Sequence, residues 1–232
     1  IAGPGEAPLL TLLGKSLPDD TDNTGVPDYA PFSDLSYLSP GLVLPYSSSS
    51  GCYWRRCAFC PEQAEGNPYR PIPVKRVISQ LKTLKETYQP ALIHFTDNAL
   101  SPSLLRALAE NPPGVPWYGF TRITPHLADP DFCVVLKRSG CVMLQLGLES
   151  GSQRVLDAFG KGVDLTTAAK ALDGLKQARI ATYVYLLFGT PWEKEEDARK
   201  RLGETAAEIK KDLNEEVGYE VQQGTIFKEI AD

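Results

Sequence analysis

The sequence offers few ligands for a closed structural metal site. Its 232 residues include five cysteines and two histidines, and three of the cysteines lie in one short stretch. The histidines, His94 and His126, and the remaining cysteines, Cys133 and Cys141, form no second Cys-x2-Cys pair and no His-x3-His pair. A structural zinc site normally has four protein ligands. The three clustered cysteines would supply three of them, and no cysteine or histidine nearby in the sequence supplies the fourth.

Two other features are absent: a membrane-spanning run and an excess of basic charge. No apolar run approaches the ~20 residues that a helix needs to cross a bilayer, and the N-terminus has no basic-then-apolar signal pattern. The net charge is −5, so no overall positive field would attract nucleic acid. Clustered cysteines are typical of a reducing compartment. We therefore expect a cytoplasmic protein without a membrane or nucleic acid partner, and, because the chain opens on Ile1, a fragment.

Three cysteines, Cys52, Cys57 and Cys60, form a Cys-x4-Cys-x2-Cys motif. The motif follows a predicted strand at residues 42–46 and precedes a predicted helix that begins near Val74. Three thiolates presented from one strand end are typical of a metal or cluster site. Soft sulfur ligands suit an iron–sulfur cluster or zinc rather than magnesium or calcium. From the residues alone, a cluster with one open position, a structural zinc ion and a redox disulfide remain open interpretations.

Strand and helix patterns alternate along most of the chain. Predicted strands cover residues 42–46, 91–95, 117–123, 142–146 and 181–188, with a further strand at 219–227. Predicted helices cover residues 74–88, 101–111, 129–140, 164–178 and 194–213, with a short one at 9–13. Residues 17–40 are polar and rich in turn-forming residues, which predicts a linker. The alternation predicts an α/β fold with parallel strands and right-handed crossovers, which either a barrel or an open sheet would satisfy.

The cysteine motif resembles that of the radical S-adenosylmethionine superfamily. Members of this family carry three cysteines after the first barrel strand, usually as Cys-x3-Cys-x2-Cys with an aromatic residue before the last cysteine. Phe59 matches this aromatic residue, whereas the first spacing is one residue longer here. The resemblance implies a partial (β/α)6 barrel of parallel strands over residues 41–232, with its chemistry at the C-terminal ends of the strands.

The resemblance also implies the cofactors. Cys52, Cys57 and Cys60 would hold a 4Fe–4S cluster whose open iron binds the amino and carboxylate groups of S-adenosylmethionine. One electron would then cleave the sulfonium and yield a 5′-deoxyadenosyl radical. A small-molecule substrate and a reducing partner such as flavodoxin or ferredoxin are implied with it, whereas the residues that act on the substrate are not identifiable.

Residues near the ends of three later strands resemble parts of the family's S-adenosylmethionine site. Asp97 would accept a hydrogen bond from the methionine amino group, in place of a Gly-Gly-Glu stretch that this chain lacks. Arg122 lies in a strand expected to be buried, where a charge needs a partner, either the methionine carboxylate or Glu149. Glu149 and Ser150 lie in a segment that resembles the ribose-binding segment, and an ionised acid accepts hydrogen bonds from a diol.

A fourth resemblance lies at Gly189-Thr190-Pro191-Trp192-Glu193. It matches the Gly-x-Pro-x-Glu stretch that lies beside adenine in the family. Gly189 and Pro191 are the matching residues that we expect at the cofactor, because glycine lets the backbone approach a ring closely.

Three segments resemble the cobalamin-dependent branch of the family, namely residues 3–6, 27–29 and 51–54. They imply that residues 1–16 are the end of an upstream cobalamin-binding domain and that residues 17–40 link this domain to the barrel. Cobalamin would then serve methyl transfer or rearrangement at an unactivated carbon. A radical enzyme without cobalamin is the alternative within the family.

Two further functions remain as alternatives. A non-enzymatic iron–sulfur or zinc-binding interaction module would need a fourth protein ligand, such as Cys133 or Cys141. A radical methylthiotransferase acting on tRNA would fit the three-cysteine motif, but the absent basic surface and the absent second cysteine triad weigh against it.

Overall fold

Strands and helices alternate through the described part of the chain. The computed structural model describes residues 6–15, 25–33, 38–39, 41–194 and 196–197. The strands are β1 (Val43–Tyr46), β2 (Ser49–Ser50), β3 (Arg70–Pro71), β4 (Leu92–Leu100), β5 (Trp117–Thr121), β6 (Cys141–Glu149) and β7 (Ala181–Leu186). The helices are α1 (Glu6–Leu12), α2 (Ala30–Ser33), α3 (Pro61–Ala64), α4 (Val74–Tyr88), α5 (Pro102–Glu110), α6 (Pro130–Arg138), α7 (Gln153–Ala158) and α8 (Leu165–Gln177). Ile1–Thr190 form one compact unit and Pro191–Asp232 a second.

Five strands form the main sheet, in the order β1-β4-β5-β6-β7. Every neighbouring pair is parallel, and Tyr46, Phe95, Gly119, Leu144 and Thr182 are direct register partners across the sheet. Because the strands run in one direction, their C-terminal ends lie along one edge. The predicted α/β fold with parallel strands is confirmed. The sixth strand predicted at 219–227 lies outside the described residues.

Amphipathic helices bury the hydrophobic core against the sheet. α4 buries Leu81 and Leu84, α5 buries Leu108 and α6 buries Leu136, and all four belong to one core cluster with Phe95 of β4. Each of these side chains is at most 1% exposed. Burying one such side chain contributes about 1.5–3 kcal/mol, so packing of the helices holds the strand ends in fixed positions.

Three helices, α5, α6 and α8, begin at an N-cap residue that is the first residue of the predicted helix range. The side chains of Ser101, Asp129 and Asp164 each accept a hydrogen bond from a backbone N–H in the first turn, at 3.2, 3.0 and 2.9 Å. Each such cap typically contributes about 1 kcal/mol. These helices therefore begin where the sequence predicts.

The structure differs from the sequence prediction in the length of β4. This strand continues to Leu100 rather than ending at residue 95, with a register shift between Phe95 and Leu100. Asp97 lies within the extension and is 4% exposed. The short α3 and α7 and the antiparallel β2–β3 pair were also not predicted, because two to six residues are too few to show a hydrophobic period.

Part of the predicted linker is attached to the sheet and to α4. The Asp28 carboxylate accepts hydrogen bonds from the Tyr88 hydroxyl at 2.7 Å and from the Ala30 N–H at 2.9 Å. The Tyr29 N–H donates to the Tyr88 hydroxyl at 2.9 Å, and the Tyr29 hydroxyl donates to the Pro45 carbonyl of β1. The Tyr88 hydroxyl bond lowers the pKa of Asp28. The role of residues 17–40 as a linker stays a prediction, but residues 28–30 are held in place.

Few residues of the second unit are described. The predicted helix at 194–213 lies outside the described residues except for Lys194, Glu196 and Asp197. Among the described residues, no helix combines the length and the apolar character needed to cross a membrane.

Candidate functional site

The three cysteines of the motif lie in the loop that leads from β2 to α3. Cys57 is buried, whereas Cys52 and Cys60 are partly exposed. Gly51 has a φ of +72°, and a Cβ there would come within 2.5 Å of the Pro68 carbonyl oxygen, so this turn requires glycine. The Cys60 N–H donates to the Cys57 carbonyl at 3.1 Å. Backbone geometry therefore fixes the loop that carries the thiols.

A single metal ion and an iron–sulfur cluster place different requirements on the three thiols. Within the part of the chain that the structure describes, no three Cys, His, Asp or Glu side chains gather closely enough to hold one ion. In an iron–sulfur cluster each cysteine binds a different iron, so the sulfurs need not converge on one point. Three thiols on one fixed loop therefore fit a cluster better than a zinc ion.

Two cations influence the buried thiol. Burial raises the pKa of Cys57, and the positive charges of Lys161 and Arg122 act in the opposite direction. The nearby thiols of Cys60 and Cys52 raise the pKa of Cys57 further. The other two thiols of the motif and two buried cations thus all influence the pKa of Cys57.

Arg122, the first residue after β5, lies against the cysteine loop. Its Nη1 donates to Cys57 Sγ at 3.7 Å, and its Nη2 donates to the Lys161 carbonyl. Its guanidinium carbon lies 4.1 Å from the ring centroid of Trp54, and the side chain is 4% exposed. The expected partners were the methionine carboxylate or Glu149. The structure brings Arg122 to a cysteine sulfur, and binding of the methionine carboxylate stays a prediction.

Glu149, the last residue of β6, forms an ion pair with Lys161. Lys161 Nζ lies 2.8 Å from Glu149 Oε1, and the two side chains are 4% and 12% exposed. Glu149 has a φ of +65°, which is uncommon for a residue other than glycine. The sequence contains Lys161 twelve residues after Glu149, but its role was missed. The only available signal was that a buried acid at this position would need a cation.

Two other predicted cofactor residues have protein partners. The Asp97 carboxylate accepts hydrogen bonds from the Ser48 N–H at 3.0 Å, the Ser48 hydroxyl at 2.5 Å and the Ser49 hydroxyl at 2.6 Å. Ser150 is fully buried, and its hydroxyl accepts from the Ser152 N–H at 3.1 Å in the turn before α7. Both residues therefore shape loops at the strand ends, and their contacts with S-adenosylmethionine stay predictions.

The remaining predicted residues differ in their surroundings. Phe59 is 38% exposed, packs edge-on against Phe159 at 5.1 Å, and lies 5.8 Å from Lys161 Nζ. Gly189 has a φ of +72°, and a Cβ there would meet no atom within 4 Å. This open space on its backbone is consistent with close approach of a ring. Pro191 belongs to the second unit.

Trp54 lies in the segment 51–54 that resembles the cobalamin-dependent branch, but the sequence predicted no contact for its side chain. Its Nε1–H donates to the Gly160 carbonyl at 2.9 Å. Gly162 has a φ of +62°, and a Cβ there would lie 2.2 Å from the Trp54 ring. The guanidinium carbon of Arg56 also lies over the ring, at 5.1 Å. Trp54 thus joins the cysteine loop to the turn that carries Lys161.

Tyr53, a residue of the cysteine loop, lines a cavity. The cavity has a volume of about 390 Å³ and is lined by Tyr69, Ile72 and residues in the first turns of α4 and α5. The Tyr53 and Tyr69 rings meet edge-on at 6.2 Å. Burial raises the pKa of Tyr53 to about 12, against the opposing effect of the Arg122 charge.

Comparison with known proteins identifies relatives that are longer than this chain. An uncharacterized methyltransferase of Pyrococcus horikoshii is 26% identical over 175 residues, which are 71% of this chain and 36% of the relative. The ribosomal protein uS12 methylthiotransferase RimO of Moorella thermoacetica is 28% identical over 168 residues, which are 64% of this chain and 38% of the relative. The chain therefore spans little more than a third of either relative.

A solved structure with a similar fold is also matched over only part of its own chain. The cobalamin-dependent S-adenosylmethionine radical enzyme OxsB with aqua-cobalamin bound superimposes with a TM-score of 0.56 at 18% identity, over 69% of this chain and 26% of that chain. The sequence profile of the radical SAM superfamily matches residues 46–202, which are more than half of the chain and include the cysteine loop, Arg122 and Glu149. The chain therefore belongs to the radical S-adenosylmethionine superfamily.

Proposed function

We propose that this chain is the radical-generating part of an enzyme that cleaves S-adenosylmethionine reductively. Cys52, Cys57 and Cys60 would hold a 4Fe–4S cluster, which when bound supplies one electron to the sulfonium. One-electron reduction of the sulfonium would break its C–S bond and give methionine and a 5′-deoxyadenosyl radical. The observation that supports this proposal most strongly is that the buried Arg122 donates a hydrogen bond to the Cys57 sulfur, where the charge of the buried Lys161 also acts.

The other residues of the site would bind and orient S-adenosylmethionine. Glu149 lies at a strand end beside Lys161 and would accept the ribose hydroxyls, because a carboxylate offers only acceptors to a diol. Gly189, where an added Cβ would meet no atom within 4 Å, would lie beside the adenine ring. The electron would come from a reducing partner such as flavodoxin or ferredoxin, which fits a protein of the cytoplasm, and a small molecule would be the substrate.

Methyl transfer that uses cobalamin is the reaction class we favour. One relative is named a methyltransferase, and OxsB is a cobalamin-dependent structural neighbour. The relative named as a methylthiotransferase supports sulfur insertion as a second candidate. The thiols of Cys133 and Cys141 are buried in the core. This burial argues against either thiol as the fourth metal ligand that a non-enzymatic iron–sulfur or zinc-binding module would need.

The test is anaerobic reconstitution of the full-length protein with iron and sulfide. We expect about four irons per cluster and formation of 5′-deoxyadenosine from S-adenosylmethionine after reduction with dithionite. Cys57→Ala should abolish both, whereas Cys133→Ala, which removes a buried thiol outside the loop, should retain both. Stoichiometric zinc without iron, or a full cluster in the Cys57→Ala variant, would contradict the proposal.

A further inference from the structure

Arg122 is a buried cation whose guanidinium contacts a cysteine sulfur. Its Nη1 lies 3.7 Å from Cys57 Sγ, within hydrogen-bonding range for sulfur. Within the described ranges of the chain, no carboxylate pairs with its guanidinium. A buried charge without a counter-charge is costly, so the position of Arg122 is favourable only if negative charge lies beside it. A cysteine thiolate, and more so a cluster bound through it, would supply that charge.

Lys161 differs from Arg122 in this respect. Lys161 Nζ is already paired with Glu149 at 2.8 Å, so much of its charge is balanced within the protein. The charge of Arg122 is not balanced in this way, and the guanidinium is held in one orientation by three contacts. These contacts are the Lys161 carbonyl, Cys57 Sγ and the face of Trp54.

We propose that Arg122 tunes the cluster by donating a hydrogen bond to the sulfur of Cys57 and by placing a positive charge beside it. This inference rests on the proposed function. Reduction adds one electron to the cluster, and a nearby cation and an N–H···S bond both stabilise the reduced form more than the oxidised form. Arg122 therefore raises the reduction potential and is a positioning residue rather than a group that touches the substrate.

Trp54 keeps the guanidinium in place for this role. The indole N–H is bound to the Gly160 carbonyl at 2.9 Å, so the ring has a fixed orientation. The guanidinium lies over the ring face, where a cation is attracted by the aromatic quadrupole. The same ring also lies near Arg56, which is exposed and adjacent in sequence to Cys57. Arg56 is therefore a matched control, since water screens its charge.

The experiment is a redox titration of the reconstituted full-length protein, followed by electron paramagnetic resonance of the reduced cluster. Arg122→Gln should lower the equilibrium constant for reduction at least tenfold, which for one electron is a negative shift of about 59 mV. Arg122→Lys keeps the charge without the forked donor geometry, so it should give a smaller negative shift. Arg56→Gln should titrate like the wild-type protein.

The outcomes separate this inference from the proposed function. A wild-type protein that holds no cluster would contradict both the proposed function and the inference about Arg122. A cluster-bearing Arg122→Gln variant with an unchanged potential would remove the inference alone. If Arg122→Gln and Arg122→Lys both fold, as judged by circular dichroism, yet neither retains iron, then Arg122 holds the loop rather than tuning the cluster, and the inference is wrong. If only Arg122→Gln loses iron, the reduction potential of Arg122→Lys is the test: a negative shift supports the inference, and an unchanged potential contradicts it.

Discussion

At the scale of single residues, Glu149 combines an uncommon backbone conformation with a defined side-chain partner. Its φ of +65° lies in a region that costs about 1–3 kcal/mol for such a residue. Its carbonyl accepts from the Leu187 N–H at 2.9 Å, and its carboxylate contacts Lys161 at 2.8 Å. The surrounding bonds therefore hold the carboxylate in one orientation at the end of β6, which suits a group that receives a ligand.

The Glu149→Gln substitution tests the ribose-binding role. It keeps the size of the side chain but replaces one acceptor oxygen with a donor and removes the charge. Because charge-assisted hydrogen bonds are stronger than neutral ones, we expect the affinity for S-adenosylmethionine to fall by about 1–3 kcal/mol. Isothermal titration calorimetry of the cluster-loaded protein measures this change. Glu86→Gln, on the exposed face of α4, is the matched control, and an equal affinity for both variants would exclude the role.

Residue positions were easier to predict than residue partners. The spacing of strand and loop patterns was enough to place Arg122 and Glu149 near strand ends, whereas Asp97, predicted just after a strand, lies within β4. The contacts of these side chains depend on which loops pack against the same edge of the sheet, and a local sequence pattern does not show which loops do so. Lys161 follows an unpredicted helix before it reaches Glu149, and Arg122 reaches a loop 65 residues away in the sequence.

At the scale of elements, Asp97 connects β4 to the turn that precedes the cysteine loop. Its carboxylate accepts three hydrogen bonds from Ser48 and Ser49, at 2.5 to 3.0 Å, and all three are buried. These bonds explain why β4 continues beyond residue 95. A buried carboxylate in the strand keeps the chain extended so that it can satisfy the donors of the neighbouring turn.

The Asp97→Ala substitution should therefore loosen the cysteine loop. It leaves the buried donors of Ser48 and Ser49 without their acceptor, which costs about 1–3 kcal/mol for each unsatisfied group. We expect a lower urea midpoint for the apoprotein and faster loss of iron from the reconstituted protein. Asn98→Ala changes the exposed neighbour and should leave both unchanged. Normal iron retention in Asp97→Ala would show that the loop does not depend on this carboxylate.

The turn at Gly162 is a second connection between elements. Both Gly162 and Gly66 have positive φ, at +62° and +70°, but only at Gly162 would a Cβ collide with another residue, Trp54, at 2.2 Å. Gly66→Ala should cost about 1–2 kcal/mol for the left-handed backbone. Gly162→Ala should cost about 1–3 kcal/mol more, because the Trp54 ring must move. Thermal unfolding of the two variants measures the difference, and equal costs would mean that the ring moves freely.

Element boundaries were predictable where a cap or a hydrophobic period marks them. α4 has the bounds of its predicted helix, and the caps Ser101, Asp129 and Asp164 begin α5, α6 and α8. The short elements β2, β3, α3 and α7 were missed, because two to six residues are too few to show a hydrophobic period. The loop segment is thus more structured than its sequence indicates.

At the scale of the whole molecule, the described residues form one sheet of five parallel strands. The chain spans little more than a third of the length of two relatives. The alternation of strands and helices was sufficient to predict the sheet and its direction. Asp28 and Tyr29, in the segment that resembles the interdomain segment of cobalamin-dependent members, are hydrogen-bonded to Tyr88 of α4, and Tyr29 also to Pro45 of β1. A linker fixed at this point would give a preceding domain a defined position relative to the sheet.

This arrangement leads to a prediction about cobalamin. Full-length protein purified with hydroxocobalamin should carry a bound corrinoid with a visible absorption spectrum, because a methyl donor must be held close to the substrate radical for efficient transfer. Cys57→Ala should lose the cluster yet keep the corrinoid, since the two cofactors would be bound by different parts of the chain. Asp28→Ala, which removes the linker contact with Tyr88, should keep both cofactors but slow methyl transfer relative to formation of 5′-deoxyadenosine. A protein that binds no corrinoid under these conditions, while still cleaving S-adenosylmethionine, would be a radical enzyme without cobalamin.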